Sequence, residues 1–368
     1  AHGQSEPLEA WDWRFYEEKV RQSHFELDDA VVKPYFELDR VLKDGVFFAK
    51  TPAAEVVFPV WAALAGVLVV LRFEGKTAGQ PSDRAWGWLL VAPAFAIALV
   101  FLGRDLLEMV TSARTGVVAR SRNFYGVLRV TEYYRDYPSK HQYVLMHGRI
   151  SHGCQLLSEE GRRRPVSYFA EESGIGRTLL YHPRRVNNQP LRIGVIGLGV
   201  GTIACYGRSG DVVRFYEINP EVEVFARTHF SYLKDSEAKV EVILGDGRLS
   251  LEREESQQFD AIILDAFSGD AVPVHLLTKE AFDIYLRHLR EGGVIVVQVT
   301  NRYLDLNPVC AAMAEQFGLL RVLIETTGDD DRETSSCSHV LLTKNREFIE
   351  STAVQEVVTP HPKSGERP

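Results

Sequence analysis

LRIGVIGLGVGTIAC, residues Leu191 to Cys205, is the stretch from which the fold is read. A short apolar run, Ile193 to Ile196, predicts a strand. The chain then turns on Gly197, Gly199 and Gly201 and enters an expected helix from Thr202. A strand, a glycine turn and a helix N-terminus together make a nucleotide cradle. Glycines let the backbone approach a ligand closely, and free helix N–H groups face it. A G-x-G-x-G run alone occurs in many tight turns. Here a second expected strand, Val212 to Tyr216, ends in Glu217, close to the spacing at which an acidic residue meets a ribose in dinucleotide folds.

Outward from this centre, apolar strands alternate with amphipathic stretches as far as about Lys344. The expected strands are Ile193–Ile196, Val212–Tyr216, Val240–Leu244, Ala261–Leu264, Val294–Val299 and His339–Leu342. Helical patterns lie between them, as in Pro220–His229 and Thr278–Leu289. That order predicts an α/β fold, a Rossmann-like doubly wound and mostly parallel sheet covered on both faces. Ligands of such sheets sit beyond the carboxyl ends of the strands. Gly197 to Gly201, Glu217, Asp246 and Asp265 all fall there.

These residues suggest an adenosine pocket. Glu217 can accept hydrogen bonds from both hydroxyls of one ribose. Asp246, in LGDGR, and the backbone at Gly247 can reach the exocyclic amine of adenine. No Gly-Lys-Ser/Thr follows the glycine turn, and the longer G-x-G-x-x-G is missing, so a nucleoside without phosphates fits better. S-adenosylmethionine or its decarboxylated form is therefore the expected co-substrate, in a class I methyltransferase-like variant of the fold, with no tightly bound cofactor. The fourth strand ends in LDAFSGDAVPVHLLTKEAF. Asp265 closes an apolar strand, where a carboxylate has a cost unless it is used or satisfied. Asp265 and Asp270 together can hold a cationic amine and take its proton, which an amine nucleophile must lose. As a bland alternative, Asp270 caps a turn. The loop after it is a candidate lid.

The rest of the chain divides by composition. Residues 1–52 form a charged, aromatic segment of mixed helical periodicity in which we find no chemistry. Residues 53–104 hold two uncharged runs, VVFPVWAALAGVLVVL (Val56–Leu71) and WGWLLVAPAFAIALVFL (Trp86–Leu102). They predict a transmembrane hairpin, although each run is near the lower length limit. Trp86 and Trp88 suit an interface. Arg104, Arg114, Arg120 and Arg122 lean towards a cytoplasmic location for the C-terminal part of the chain, at the inner membrane. Residues 105–185 read as a linker and a small antiparallel β-domain, from the strand patterns Phe124–Val130 and Gln142–Ile150. The catalytic domain is expected over 186–345 and a disordered tail over 346–368. A net charge of -8 argues against a nucleic-acid partner. Cys154, Cys205, Cys310 and Cys337 are scattered, which indicates neither a zinc site nor a disulfide framework. His147 and His152 lack a third metal ligand at useful spacing and read as ordinary hairpin histidines.

From about Arg120 to Lys344 the chain resembles the spermidine synthase family, the polyamine aminopropyltransferases, and most of all its bacterial membrane-bound branch. The resemblance is carried by SRNFYGVLRV, HGRISHGCQ, RPVSYF, GVIGLGVGT, FYEINP, GDGR, LDAFSGDAVPVHLLTKEAF and VTNRYLDL. It implies that Gln155 and Tyr168 line the active site, that Glu217 binds ribose and Asp246 adenine, and that Asp265 is the base for the attacking amine. It implies a polyamine substrate and a homodimer as well. Three positions depart from the family pattern. Val200 stands where the glycine loop usually carries an Asp that holds the donor's amino group. Ser268 stands at the second Asp of the usual D-x-x-D, with Asp270 two further on. Phe169 replaces a polar residue. The resemblance thus implies a membrane-anchored aminopropyltransferase. An S-adenosylmethionine-dependent methyltransferase is the alternative that Val200 suggests, and a non-catalytic sensing domain is a third.

Overall fold

The computed structural model describes residues 103–104, 116–148, 150–266, 273–301, 304–329 and 332–359. The strands and helices named below belong to one compact unit, Ala113–Pro368. The two uncharged runs, the N-terminal segment and Asp270 lie outside the described residues. Among the described residues no helix is long and apolar enough to cross a membrane.

Four strands come first: β1 (Val117–Asn123), β2 (Gly126–Tyr133), β3 (Gln142–His147) and β4 (Ile150–Leu156). They pair antiparallel in simple order; β2 and β3 match the two expected strand patterns, whereas β1 and β4 were not read from the sequence. Phe124 and Tyr125 make the turn between the first two, where Asn123 faces Gly126.

The larger sheet has seven strands: β5 (Arg192–Ile196), β6 (Val212–Glu217), β7 (Lys239–Leu244), β8 (Phe259–Leu264), β9 (Leu289–Gln298), β10 (Leu320–Thr326) and β11 (Cys337–Thr343). Their order is β10-β11-β9-β8-β5-β6-β7. The five strands from β7 to β9 run parallel, and β10 and β11 run antiparallel at one end. This is a Rossmann-like α/β sheet. Every residue of β8, FDAIIL, is buried, as expected for a central strand covered on both faces. Alternate residues feed two cores. Ile193, Val195, Ala261 and Ile263 pack on one face. Ile196, Ile262, Leu264 and Val297 pack on the other.

The main helices are α1 (Gly174–Tyr181), α2 (Pro220–Thr228), α3 (Gly247–Arg253), α4 (Lys279–His288) and α5 (Asn307–Phe317). Their starts follow from local chemistry. Asn219, Asp246 and Thr278 cap α2, α3 and α4 by accepting backbone N–H bonds from Glu221, Leu249 and Ala281. Gly318, in the left-handed conformation, ends α5.

Three expectations are corrected. The glycine turn enters only a short 3-10 stretch, Thr202–Tyr206, so no long helix points its N-terminus at the cradle. The strand β10 was not read from the sequence. Residues 346–359, expected to be disordered, form two short helices, Arg346–Ile349 and Thr352–Gln355. Phe348 and Val354 bury there at 1% and 0% exposure, which anchors the segment to the sheet.

Candidate active site

The chain runs from β5 outward through β6 to β7, then returns to β8 on the other side of β5. Such a reversal leaves a crevice beyond the strand ends. A cleft lies there, lined by residues from the ends of β5, β6, β7 and β8 and by the first sheet. Tyr168, Gly197, Gly199, Glu217, Asp246, Gly247 and Asp265 all line it.

The glycines are required by close approach. Gly197, Gly199 and Gly201 have φ of 100°, 54° and 83°. A Cβ on Gly197 would strike the Asp265 carbonyl, and one on Gly199 would lie 2.5 Å from the His152 carbonyl. Gly201 does not line the cleft, and its Cβ would meet the Leu233 side chain at 2.5 Å. It serves packing. Gly247 opens α3 against Ile196, where a Cβ would come within 2.7 Å.

Glu217 ends β6 and is 8% exposed. Its carboxylate accepts the Leu198 N–H at 3.0 Å and the Asn219 N–H at 2.8 Å. It thereby braces the glycine loop while lining the cleft. Burial raises its pKa, and the backbone N–H bonds oppose that shift. Asp246 caps α3 through one oxygen, and its other oxygen lies 2.8 Å from His275 Nε2. The bond to His275 lowers its pKa most.

Asp265 follows β8 directly. Tyr168 donates its hydroxyl to Asp265 Oδ2 at 3.3 Å. The carboxyl is partly covered, yet it lies deep enough that lost hydration dominates and pushes its pKa up to about 8, against the Tyr168 bond. The same burial, with the neighbouring carboxyl, raises the Tyr168 phenol well above its usual value. Tyr168 is fixed by Phe169, whose ring centroid is 4.1 Å away. A carboxyl with this pKa at the floor of a cleft can hold or release a proton near neutrality.

Two sequence readings fail geometrically. Gln155 does not line the cleft. Its amide nitrogen donates to the Arg162 carbonyl at 2.8 Å and to Ser231 Oγ at 2.9 Å, and its oxygen accepts the Ser231 N–H at 2.8 Å. All three bonds are internal, so it ties the first sheet to the loop before Tyr232. Val200 does not face the cleft either. It is 1% exposed and packs in the core against Gly153, where a Cβ would come within 2.7 Å of Val200 Cγ2.

Sequence reasoning missed other cleft residues. Tyr125, at the β1–β2 turn, and Asn219, the cap of α2, line the wall, and Asn123 donates to Asn219 Oδ1 at 2.6 Å. Asn-Pro before an amphipathic stretch signals the cap, but nothing signals Tyr125. His147 and His152, read as hairpin histidines, line the cleft from the first sheet, and His275 lines it from the segment after Pro273. Among the described residues no group of His, Cys, Asp and Glu could hold a metal ion.

Comparison with known proteins divides the chain. Residues 1–61 match "Peptidase family M3", and residues 187–317 match "Spermine/spermidine synthase domain". The chain is similar to the dipeptidyl carboxypeptidase of Escherichia coli, 58% identical over 78 residues, which is 21% of this chain and 9% of that protein. It is similar to the polyamine aminopropyltransferase of Vibrio vulnificus, 34% identical over 126 residues, 32% of this chain and 39% of that protein. It is also 28% identical over 123 residues to putrescine N-methyltransferase 2 of Nicotiana attenuata, 32% of this chain and 33% of that protein. The chain thus spans well under half the length of each. The first match gives the N-terminal segment, where the sequence suggested no chemistry, a likeness of its own. The second agrees with the resemblance read from the motifs around the cleft, over the same part of the chain that matches the spermine/spermidine synthase domain, residues 187–317.

Proposed function

We propose that the domain is a transferase that moves an aminopropyl group from decarboxylated S-adenosylmethionine to a polyamine, releasing methylthioadenosine. The observation that carries the reading is Asp265. Its carboxyl, with a pKa pushed up to about 8, sits beside the glycine loop in the cleft that also holds Glu217 and Asp246. In this reading Glu217 takes the ribose hydroxyls. Asp246 takes the adenine amine in place of its contact with His275. The acceptor amine approaches Asp265, gives up one proton to the carboxylate, and its nitrogen attacks the propyl carbon next to the sulfonium. The C–N bond forms as the C–S bond breaks, and the electron pair returns to sulfur as a neutral thioether. Tyr168 orients the carboxyl by its hydrogen bond. Asp270 remains the proposed second carboxylate for the acceptor.

The experiment is calorimetry of the full chain with methylthioadenosine, decarboxylated S-adenosylmethionine and S-adenosylmethionine, followed by a transfer assay with putrescine. Binding of the nucleosides with aminopropyl transfer is the expected result. No binding of any of the three would end the reading.

Methyl transfer is the second reading. It is favoured by the likeness to a putrescine N-methyltransferase. Methylation of putrescine with S-adenosylmethionine in the same assay would establish it. We also propose a membrane anchor over 56–102, supported by the two uncharged runs, and a homodimer. Sedimentation of the full chain with membranes, and light scattering after extraction, test these. No peptidase activity is proposed, since the chain holds no H-E-x-x-H run of the kind that zinc peptidases use.

A further inference from the structure

The glycine loop is flanked on two sides. Gly197 abuts the backbone of Asp265, and Gly199 abuts the backbone of His152 on β4. The Asp265 side has a role in the proposed transfer, whereas the His152 side has none. His152 lines the cleft, and its Nε2 is buried without a hydrogen-bond partner. A buried ring nitrogen left this way is costly unless a ligand completes it. Its neighbour cannot do so. The His147 ring centre lies 5.2 Å away, and His147 Nε2 is engaged with the Tyr125 carbonyl at 2.7 Å.

The carboxylates of the cleft already have partners. Glu217 holds two backbone N–H groups, Asp246 holds Leu249 N–H and His275, and Asp265 holds Tyr168. Glu217, the proposed ribose acceptor, is bonded to the glycine loop at Leu198, and the two flanks of that loop are Asp265 and His152. We propose that His152 Nε2 accepts a hydrogen bond from the amino group of the chain carried on the sulfur of the bound adenine nucleoside. This rests on the reading of the cleft as a nucleoside site and names the residue that takes the donor's amine. The imidazole has the right charge for the task. Burial, with His147 close by, lowers its pKa to about 4, so near neutrality it is uncharged. A neutral ring with its proton on Nδ1 offers Nε2 as an acceptor and does not repel a sulfonium or an ammonium.

The test is calorimetry on the full chain with two ligands that differ in the amine-bearing chain, decarboxylated S-adenosylmethionine and methylthioadenosine. His152→Ala is expected to weaken the first at least tenfold and the second less than twofold. His152→Gln, whose amide oxygen can reach the place of Nε2, is expected to stay within threefold of the parent for both. Should His152→Ala fail to fold, His152→Phe keeps the ring volume without the acceptor and is expected to give the same selective loss. Equal losses for the two ligands, or no loss, would overturn the proposal while leaving the nucleoside site standing. A parent that binds neither ligand would overturn both.

Discussion

Replacing Asp265 by Asn separates the chemistry of this carboxyl from its effect on the fold. Asn keeps the shape and can still accept the Tyr168 hydroxyl, but it carries no charge at any pH. In the parent, burial pushes the carboxyl up from its usual 3.8 to about 8. Between those values the unfolded chain has released this proton and the folded chain keeps it. The folded state therefore binds more protons, and stability falls as pH rises through the window. At about 1.4 kcal/mol per pH unit the full loss is bounded at about 6 kcal/mol, and partial access of water to the carboxyl makes about 2–4 kcal/mol the better expectation. Asp265→Asn should match the parent near pH 4 and exceed it by that amount near pH 8. Denaturant titration at a series of pH values reads this directly. In the same preparations the variant should lose ~10²–10⁴ in transfer rate while still binding methylthioadenosine. The parent's kcat/KM should rise with pH towards a limb near 8, and that limb should be absent in the variant. A parent whose stability is flat from pH 4 to pH 8 would refute the burial argument. Full transfer activity in Asp265→Asn would refute the role of base.

Four further outcomes are expected. Glu217→Ala should weaken methylthioadenosine by about 2–4 kcal/mol in calorimetry, because the ribose loses a charged acceptor and Leu198 N–H loses its brace. Val200→Asp should destabilise the fold by on the order of 3–5 kcal/mol in a denaturant titration, since the carboxylate would be buried without a partner, and it should not tighten the donor. Gly199→Ala should lower stability by at least about 1–2 kcal/mol, from its left-handed φ and the clash with the His152 carbonyl, and should reduce nucleoside affinity along with it. His275→Ala should free one oxygen of Asp246 and tighten adenine nucleosides several-fold; weaker binding would make His275 a part of the base site.

The central strands were legible because they are buried on both faces. A run such as FDAIIL has no polar face to disguise it, apart from Asp260, which is held by Arg290 and by the Arg192 N–H. The carboxylates at the strand ends were legible for the converse reason: a charge closing an apolar run stands out. β10 was lost because LRVLIET mixes Arg and Glu into a strand near the sheet edge, one that pairs only with β11 among the sheet strands. The tail was misread because composition says little when two apolar side chains, Phe348 and Val354, suffice to anchor it. Gln155 was misplaced by motif alone. The pairing of β3 with β4 shifts register between Ser151 and Cys154, so counting along the strand does not tell which way His152 and Gln155 point. Which of two neighbouring polar residues meets the cleft depends on that irregularity. Only the packing of β4 on the glycine loop fixes it.

That packing has a consequence for how the chain can change over time. β4 and the glycine loop interlock twice, Gly199 against the His152 carbonyl and Val200 against Gly153. The two sheets therefore share one seam of fixed thickness at the place where the ligand is expected. Gly153, with a φ of 122°, leaves the space that Val200 fills, so the volume at residue 200 is fixed from the other side of the seam. A glycine loop transplanted from a relative, with a different residue at 200, would have to bring its own β4. Substrate entry cannot come from parting the seam without losing the loop's shape.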